Sequence, residues 1–137
     1  MIISLILVIL RENIKLKSMH LNSNELTILY NEGNERDKKT LSYAYTITDK
    51  INKQELSSVK VSSTLFQVFV DKLNEDPKRL INKADPYYQA NIRGKDFSVA
   101  EWFDLLSNHP SLLKAPIAMY HNKAIVCNTP TDILKLS

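Results

Sequence analysis

Apolar and polar positions alternate with a period that changes along the chain, and each change marks an element. Glu25-Leu-Thr-Ile-Leu-Tyr30 is rich in β-formers and apolar on both faces, which predicts a strand covered on both sides. Asn31-Glu-Gly-Asn34 reads as a loop, with Gly33 free to take positive φ. From Glu35 to about Thr48, Leu41, Ala44, Tyr45 and Thr48 fall near helical spacing, predicting a helix. Ile51 to Leu56 alternates poorly and predicts a short or edge strand. Ser62-Ser63-Thr64 can cap a helix in which Leu65, Phe66, Phe69, Val70 and Leu73 make one apolar stripe. Asp76-Pro77 ends that helix and opens a shorter one through Leu80 and Ile81. Residues 82–97 are mostly polar and read as an irregular connection.

The last third is the most patterned. Ser98 and Glu101 form a capping box, with Val99, Trp102, Phe103 and Leu106 on one face behind it. His109-Pro110 breaks this helix. Ile117–Tyr120 and Ala124–Cys127 then read as two strands around His121-Asn122, a two-residue turn in which Asn adopts positive φ readily. Thr129-Pro130 starts a final helix that packs through Ile133, Leu134 and Leu136. The order is β-α-β-α, a helical insert, then β-β-α. A parallel βαβ unit joined to an antiparallel hairpin gives a small mixed sheet with helices on both faces, the α/β thioredoxin-like arrangement.

Charge changes this picture little. Lys and Arg total 18 against 15 Asp and Glu, a net +3. Residues 1–18 hold Arg11, Lys15 and Lys17 against Glu12, contributing +2 and leaving +1 for the rest, so the body is nearly neutral and direct nucleic-acid binding is not expected. One cysteine excludes an internal disulfide framework, a CxxC redox pair and a zinc ribbon, and points to a reducing cytoplasm. Met1-Ile-Ile-Ser-Leu-Ile-Leu-Val-Ile-Leu10 is too short to span a bilayer, which takes ~20 residues. Its charges follow the apolar run, the reverse of a signal peptide. Residues 1–18 are therefore expected to be an extension ahead of a start at Met19, with an added edge strand or a membrane-associating tail as alternatives. Residues 19–137 form a single domain.

These residues resemble the arsenate reductase family, the thioredoxin-fold group that also contains the Spx regulators, from about Leu26 to Leu136. The family's first strand, Asn-Pro-x-Cys-like loop and Thr-Leu helix read here as Leu29-Tyr30-Asn31-Glu32-Gly33-Asn34 and Lys39-Thr40-Leu41. Its Leu-Leu-Arg-x-Lys-x-x-x-Tyr-like segment reads as Arg79-Leu80-Ile81-Asn82-Lys83-Ala84-Asp85-Pro86-Tyr87. Its final motifs read as His109-Pro110, Leu112-Leu113-Lys114-Ala115-Pro116-Ile117 and Cys127-Asn128-Thr129-Pro130, the most specific part of the likeness. The resemblance implies a cis bond at Ala115-Pro116, since this proline is characteristically cis in thioredoxin folds.

It also implies where chemistry belongs. A family cysteine attacks arsenate as a thiolate stabilised by the helix start behind it. Asn34 stands at that position and cannot act as a thiolate. Arginines hold the oxyanion, and their positions are occupied by Ile81, Ala115 and Asn128, none cationic. Glu32, Glu35 and Asp37 surround the helix start. Each favours the helix by roughly 0.3–1 kcal/mol and repels an anion. Arg36, Lys38 and Lys39 offset this only in part, because helical spacing aims them in different directions.

The remaining candidates favour structure over chemistry. Cys127 reads as a half-buried small hydrophobe in a strand, with a displaced reactive thiol approached by His121 as the alternative. His20, His109 and His121 share no metal-ligand spacing, so no metal or cofactor is expected. Trp102 belongs to the core, and Tyr87 and Tyr88 could face a partner. The expected function is that of a non-catalytic family member acting through binding; Spx-like relatives contact RNA polymerase. The alternative is a thiol-dependent oxidoreductase, of arsenate reductase or glutathione- and glutaredoxin-linked type, using Cys127 or a pocket of Asn34, Pro116 and Asn128.

Overall fold

The computed structural model describes residues 24–56 and 63–137. The expected 1–18 extension, the Met19 start and Ser62 lie outside them. Four strands form one sheet in the order β2-β1-β3-β4, from β1 (Leu26–Tyr30), β2 (Ile51–Glu55), β3 (Ile117–Tyr120) and β4 (Lys123–Val126). β1 runs parallel to β2, with Leu26 beside Ile51 and Tyr30 beside Glu55. It runs antiparallel to β3, and β3 antiparallel to β4.

Side-chain alternation assigns the two faces. Leu26, Ile28 and Tyr30 of β1 join Ala118 and Cys127 under α1 (Glu35–Ala44) and a 3-10 helix, Pro130–Leu136, which buries Ile133 and Leu136. Leu29, Ile117 and Met119 face the opposite layer. That layer holds α2 (Ser63–Leu73) and α3 (Val99–Asn108), with Phe66, Phe69, Trp102, Phe103 and Leu106 buried. Phe66 and Phe103 meet at 5.4 Å between ring centroids. β1 is buried along its whole length, as its doubly apolar pattern predicts.

Several boundaries follow local chemistry. The Ser98–Glu101 capping box is formed in both directions, and Asp76 caps the 3-10 turn Pro77–Leu80. His121 (φ 49°) and Asn122 (φ 66°) are both left-handed, as a tight hairpin with the right twist requires. α1 ends at Ala44 and not near Thr48. Thr46 Oγ1 donates to the Tyr43 carbonyl at 2.6 Å, and the β-branched Thr46-Ile47-Thr48 run favours tighter turns. The terminal helix is of 3-10 type, capped reciprocally by Thr129 and Asp132. The 82–97 connection is more ordered than expected: buried Asp85 accepts from the Tyr87 and Tyr88 N–H groups and opens a short π-type helix, Tyr88–Ile92.

The expected cis bond at Ala115-Pro116 is not found, and this peptide is trans. Trans is the intrinsic preference of X-Pro by ~0.5–1 kcal/mol. The segment is anchored on both sides, by Lys114 N–H to the Leu80 carbonyl and by Cys127 N–H to the Pro116 carbonyl, each at 2.8 Å.

Removing the Phe66 ring leaves a void between α2 and α3. Phe66→Ala is expected to cost about 3–5 kcal/mol in urea unfolding. Leu134→Ala, at a side chain 39% exposed, should change stability far less.

Candidate functional site

The loop after β1 and the start of α1 form a closed set of hydrogen bonds. Asn34 is the helix cap: its side-chain oxygen accepts the Arg36 N–H at 2.9 Å and the Asp37 N–H at 3.3 Å. Asn31 folds its side chain over the turn and accepts the Gly33 N–H at 3.0 Å. The Asn34 N–H donates to the Asn31 carbonyl. Asp37 reaches back, and its Oδ2 accepts the Asn31 N–H at 3.0 Å. Backbone donors at 31, 33, 34, 36 and 37 are thus all used within the loop. A helix start holds an anion by offering such donors outward; here the chain's own oxygens take them.

Charge reinforces this. The Asp37 carboxylate is buried, and burial raises its pKa from the ordinary 3.8 despite the Asn31 N–H and the Arg36 charge. Its Oδ1 lies 3.7 Å from Arg36 Nε, in ion-pair range but too far for a hydrogen bond. The Arg36 guanidinium also donates to the Lys114 carbonyl, so it ties α1 to the segment before Pro116. Lys38 pairs with Glu35 at 3.4 Å. Glu32 lies beside Glu55, at the end of β2, and the hydrogen bond with that neighbour and its charge raise the Glu32 pKa from its ordinary value. The start of α1 is therefore ringed by carboxylates, while its nearest arginine is engaged.

Cys127 lies under this loop on the α1 side of the sheet. It is fully buried, and burial, together with the Asp132 and Asp37 charges, pushes its thiol pKa up to about 12. Essentially no thiolate exists at neutral pH. His121 stands at the hairpin turn, the far end of β4 from Cys127, roughly 13 Å away at a strand rise of ~3.3 Å per residue. The His121–Cys127 approach considered from sequence is not formed.

The other candidate positions separate. Ala115 and Pro116 are buried, while Ile81 is buried and bridged to Leu113. Ile81 and Asn128 do meet. They line one cleft of about 430 Å³ with Leu80, Val126, Lys83 and Lys114, a cleft lined by neither Asn34 nor Pro116. Tyr87 is half-buried and stacks on His109 at 3.7 Å. Trp102 is in the core, edge-on to Phe97. Among the described residues no cluster of His, Cys, Asp or Glu could hold a metal, and no helix is long and apolar enough to cross a membrane.

Residues 18–136 match the ArsC family model. The chain belongs to the ArsC family. Among solved structures it resembles an arsenate reductase from Vibrio cholerae, at 16% identity and a TM-score of 0.68, over 85% of this chain and all of that one. It also resembles an arsenate reductase (ArsC) related protein from Brucella melitensis, at 16% identity and a TM-score of 0.53, over 77% and 88%. No curated protein matches. At such identity the structural likeness shows the thioredoxin-like fold. The trans Ala115-Pro116 bond departs from what the resemblance implied, while the family match spans nearly the whole chain.

Two features went unread in the sequence. Asn34 followed by Asp37 has capping-box spacing, a signal for the closed loop. The Arg36 link to Lys114 spans 78 positions and left no local signal.

The Asp37 shift has a defined sign. Its folded pKa exceeds its unfolded value, so its contribution is most favourable below about 3.8 and is lost as pH rises through the folded value. Asp37→Asn keeps an acceptor for the Asn31 N–H and removes this titration. Urea midpoints measured across the acid range should show the wild type losing ground to Asp37→Asn as pH rises, then a constant gap.

Proposed function

We propose that this ArsC-family protein is catalytically inactive and acts through binding, as Spx-like relatives do. One observation carries the reading: the backbone donors at 31, 33, 34, 36 and 37 are taken by oxygens of Asn31, Asn34 and Asp37. An arsenate reductase needs an outward set of donors and a thiolate in this place. The thiolate attacks arsenic, hydroxide leaves, and two electrons from thiols reduce As(V) to As(III). Asn34 supplies no thiolate, and its oxygen acts as the helix cap. Ile81, Ala115 and Asn128 carry no cationic side chain at the positions where the resemblance expects arginines, and at the start of α1 Glu32, Glu35 and Asp37 oppose an anion. The thiol-dependent alternative gains no support from Cys127, whose thiol is buried and unionised. The single cysteine remains the ground for placing the protein in a reducing compartment.

Arsenate reduction with glutathione and glutaredoxin is expected to stay at background. Asn34→Cys alone should not restore it, because the three cationic positions are still empty of charge. Reduction at a rate comparable to a cysteine-bearing relative, by either form, would overturn the reading. In the folded protein Cys127 should resist alkylating reagents and react once urea unfolds the chain.

A further inference from the structure

The surface around Pro77–Leu80 carries more organised charge than the loop at α1. The cleft holding Ile81 and Asn128 is lined also by Glu75, Lys78, Arg79, Lys83 and Lys114. A second cleft, of about 380 Å³, is lined by Lys78, Lys83, Tyr88, Gly94, Lys95, Asp96 and Trp102. The two share Lys78 and Lys83, so they lie on either side of one ridge. Five cations and two carboxylates face them. Lys78 is neutralised by Asp96, and Arg79 lies 3.5 Å from Glu75. Lys83, Lys95 and Lys114 are exposed, and among the described residues none forms an ion pair.

The backbones beneath these lysines are held. The Lys83 carbonyl accepts from Gln89, Asn82 N–H donates to the Leu112 carbonyl at 2.7 Å, and the Lys114 carbonyl accepts from Arg36. Of the apolar residues lining the cleft, Leu80 and Ile81 are buried and Val126 is half-buried, so Val126 offers the accessible apolar side chain beside Lys83 and Lys114. Cations on held backbones beside an accessible apolar side chain suit a ligand that carries carboxylates beside an apolar side chain.

We infer that these adjoining clefts dock an extended acidic peptide segment of a partner protein, with an apolar residue against Val126 and carboxylates on Lys83, Lys114 and Lys95. This rests on the binding reading above and names the chemistry of the partner. Two observations favour a peptide over a nucleic acid. The body outside residues 1–23 has a net charge of only +1, which follows from +3 less the +2 of Arg11, Lys15 and Lys17 against Glu12. Glu75 and Asp96 also interrupt the basic surface, which a continuous phosphate backbone would meet unfavourably. A small anion would fill one cleft and leave Lys95 across the ridge unused.

A random-peptide display library panned on the full chain tests this. Enriched sequences are expected to place acidic residues around an apolar one. A labelled peptide of that kind should bind the Lys83→Glu/Lys114→Glu variant roughly tenfold or more weakly than wild type, and bind more weakly as salt rises. Lys38→Glu, on α1, serves as a control with unchanged affinity, and thermal melting confirms that each variant folds. Enrichment without acidic bias, affinity insensitive to Lys83 and Lys114, or displacement of the peptide by inorganic phosphate or a DNA oligomer overturns the proposal. Arsenate reduction is measured separately. Inactivity without peptide binding sinks the docking surface alone, whereas reduction alongside peptide binding sinks the non-catalytic reading alone.

Discussion

The site depends on one constraint: the loop before α1 and its first turn use five of their own backbone donors, those of 31, 33, 34, 36 and 37. A helix start leaves N–H groups without intrahelical partners, and something must accept from them. In an anion-binding loop the ligand can do so. Here Asn34 accepts from Arg36 and Asp37, Asn31 from Gly33, and Asp37 from Asn31. An entering oxyanion would have to displace these oxygens and sit among Glu32, Glu35 and Asp37. An Asn cap is worth about 0.5–2 kcal/mol to the helix relative to Ala, so Asn34 stabilises the loop that it closes.

The rest of the α1 side supports this arrangement. β1 is central in the sheet and wholly buried, so its C-terminal end places Asn31 in a fixed position over α1. The buried Asp37 carboxylate is destabilising by itself, and the Asn31 N–H and nearby Arg36 offset part of that cost. Arg36 carries the same constraint across to the Lys114 carbonyl, so the segment leading into Pro116 is pinned from α1 as well as from Leu80. Beneath them Cys127 acts as core: small, unionised and packed with Ile28, Ala118 and Ile133. The start of α1 is thus a closed, internally bonded face, while Lys83 and Lys114 gather at the cleft lined by Ile81.

Much of this was legible in the sequence because it depends on neighbours a few positions apart. The doubly apolar β1, the Ser98–Glu101 box, the His121-Asn122 turn and the Pro130 start are local rules, and each formed where its residues stand. The ArsC-family resemblance named Asn34, Ile81, Ala115 and Asn128 as positions to inspect; of these the fold brings Ile81 and Asn128 to one cleft and leaves Asn34 at the start of α1. What escaped was non-local or competing. The trans bond at Pro116 follows the intrinsic peptide preference over the fold's habit. The early end of α1 reflects β-branched crowding after Ala44. The helix at Tyr88 was announced by Asp85-Pro86, the same signal as Asp76-Pro77, but its polar surroundings masked it. The meeting of Ile81 with Asn128, and of Lys83 with Lys114, needs the tertiary fold.

The central claim concerns the donors of the 31–37 loop, and backbone amide NMR measures them directly. During a titration with arsenate, the amide signals of Asn31, Gly33, Asn34, Arg36 and Asp37 should stay in place up to millimolar concentrations. Saturable shifts confined to those five amides would show an open anion site and contradict the account.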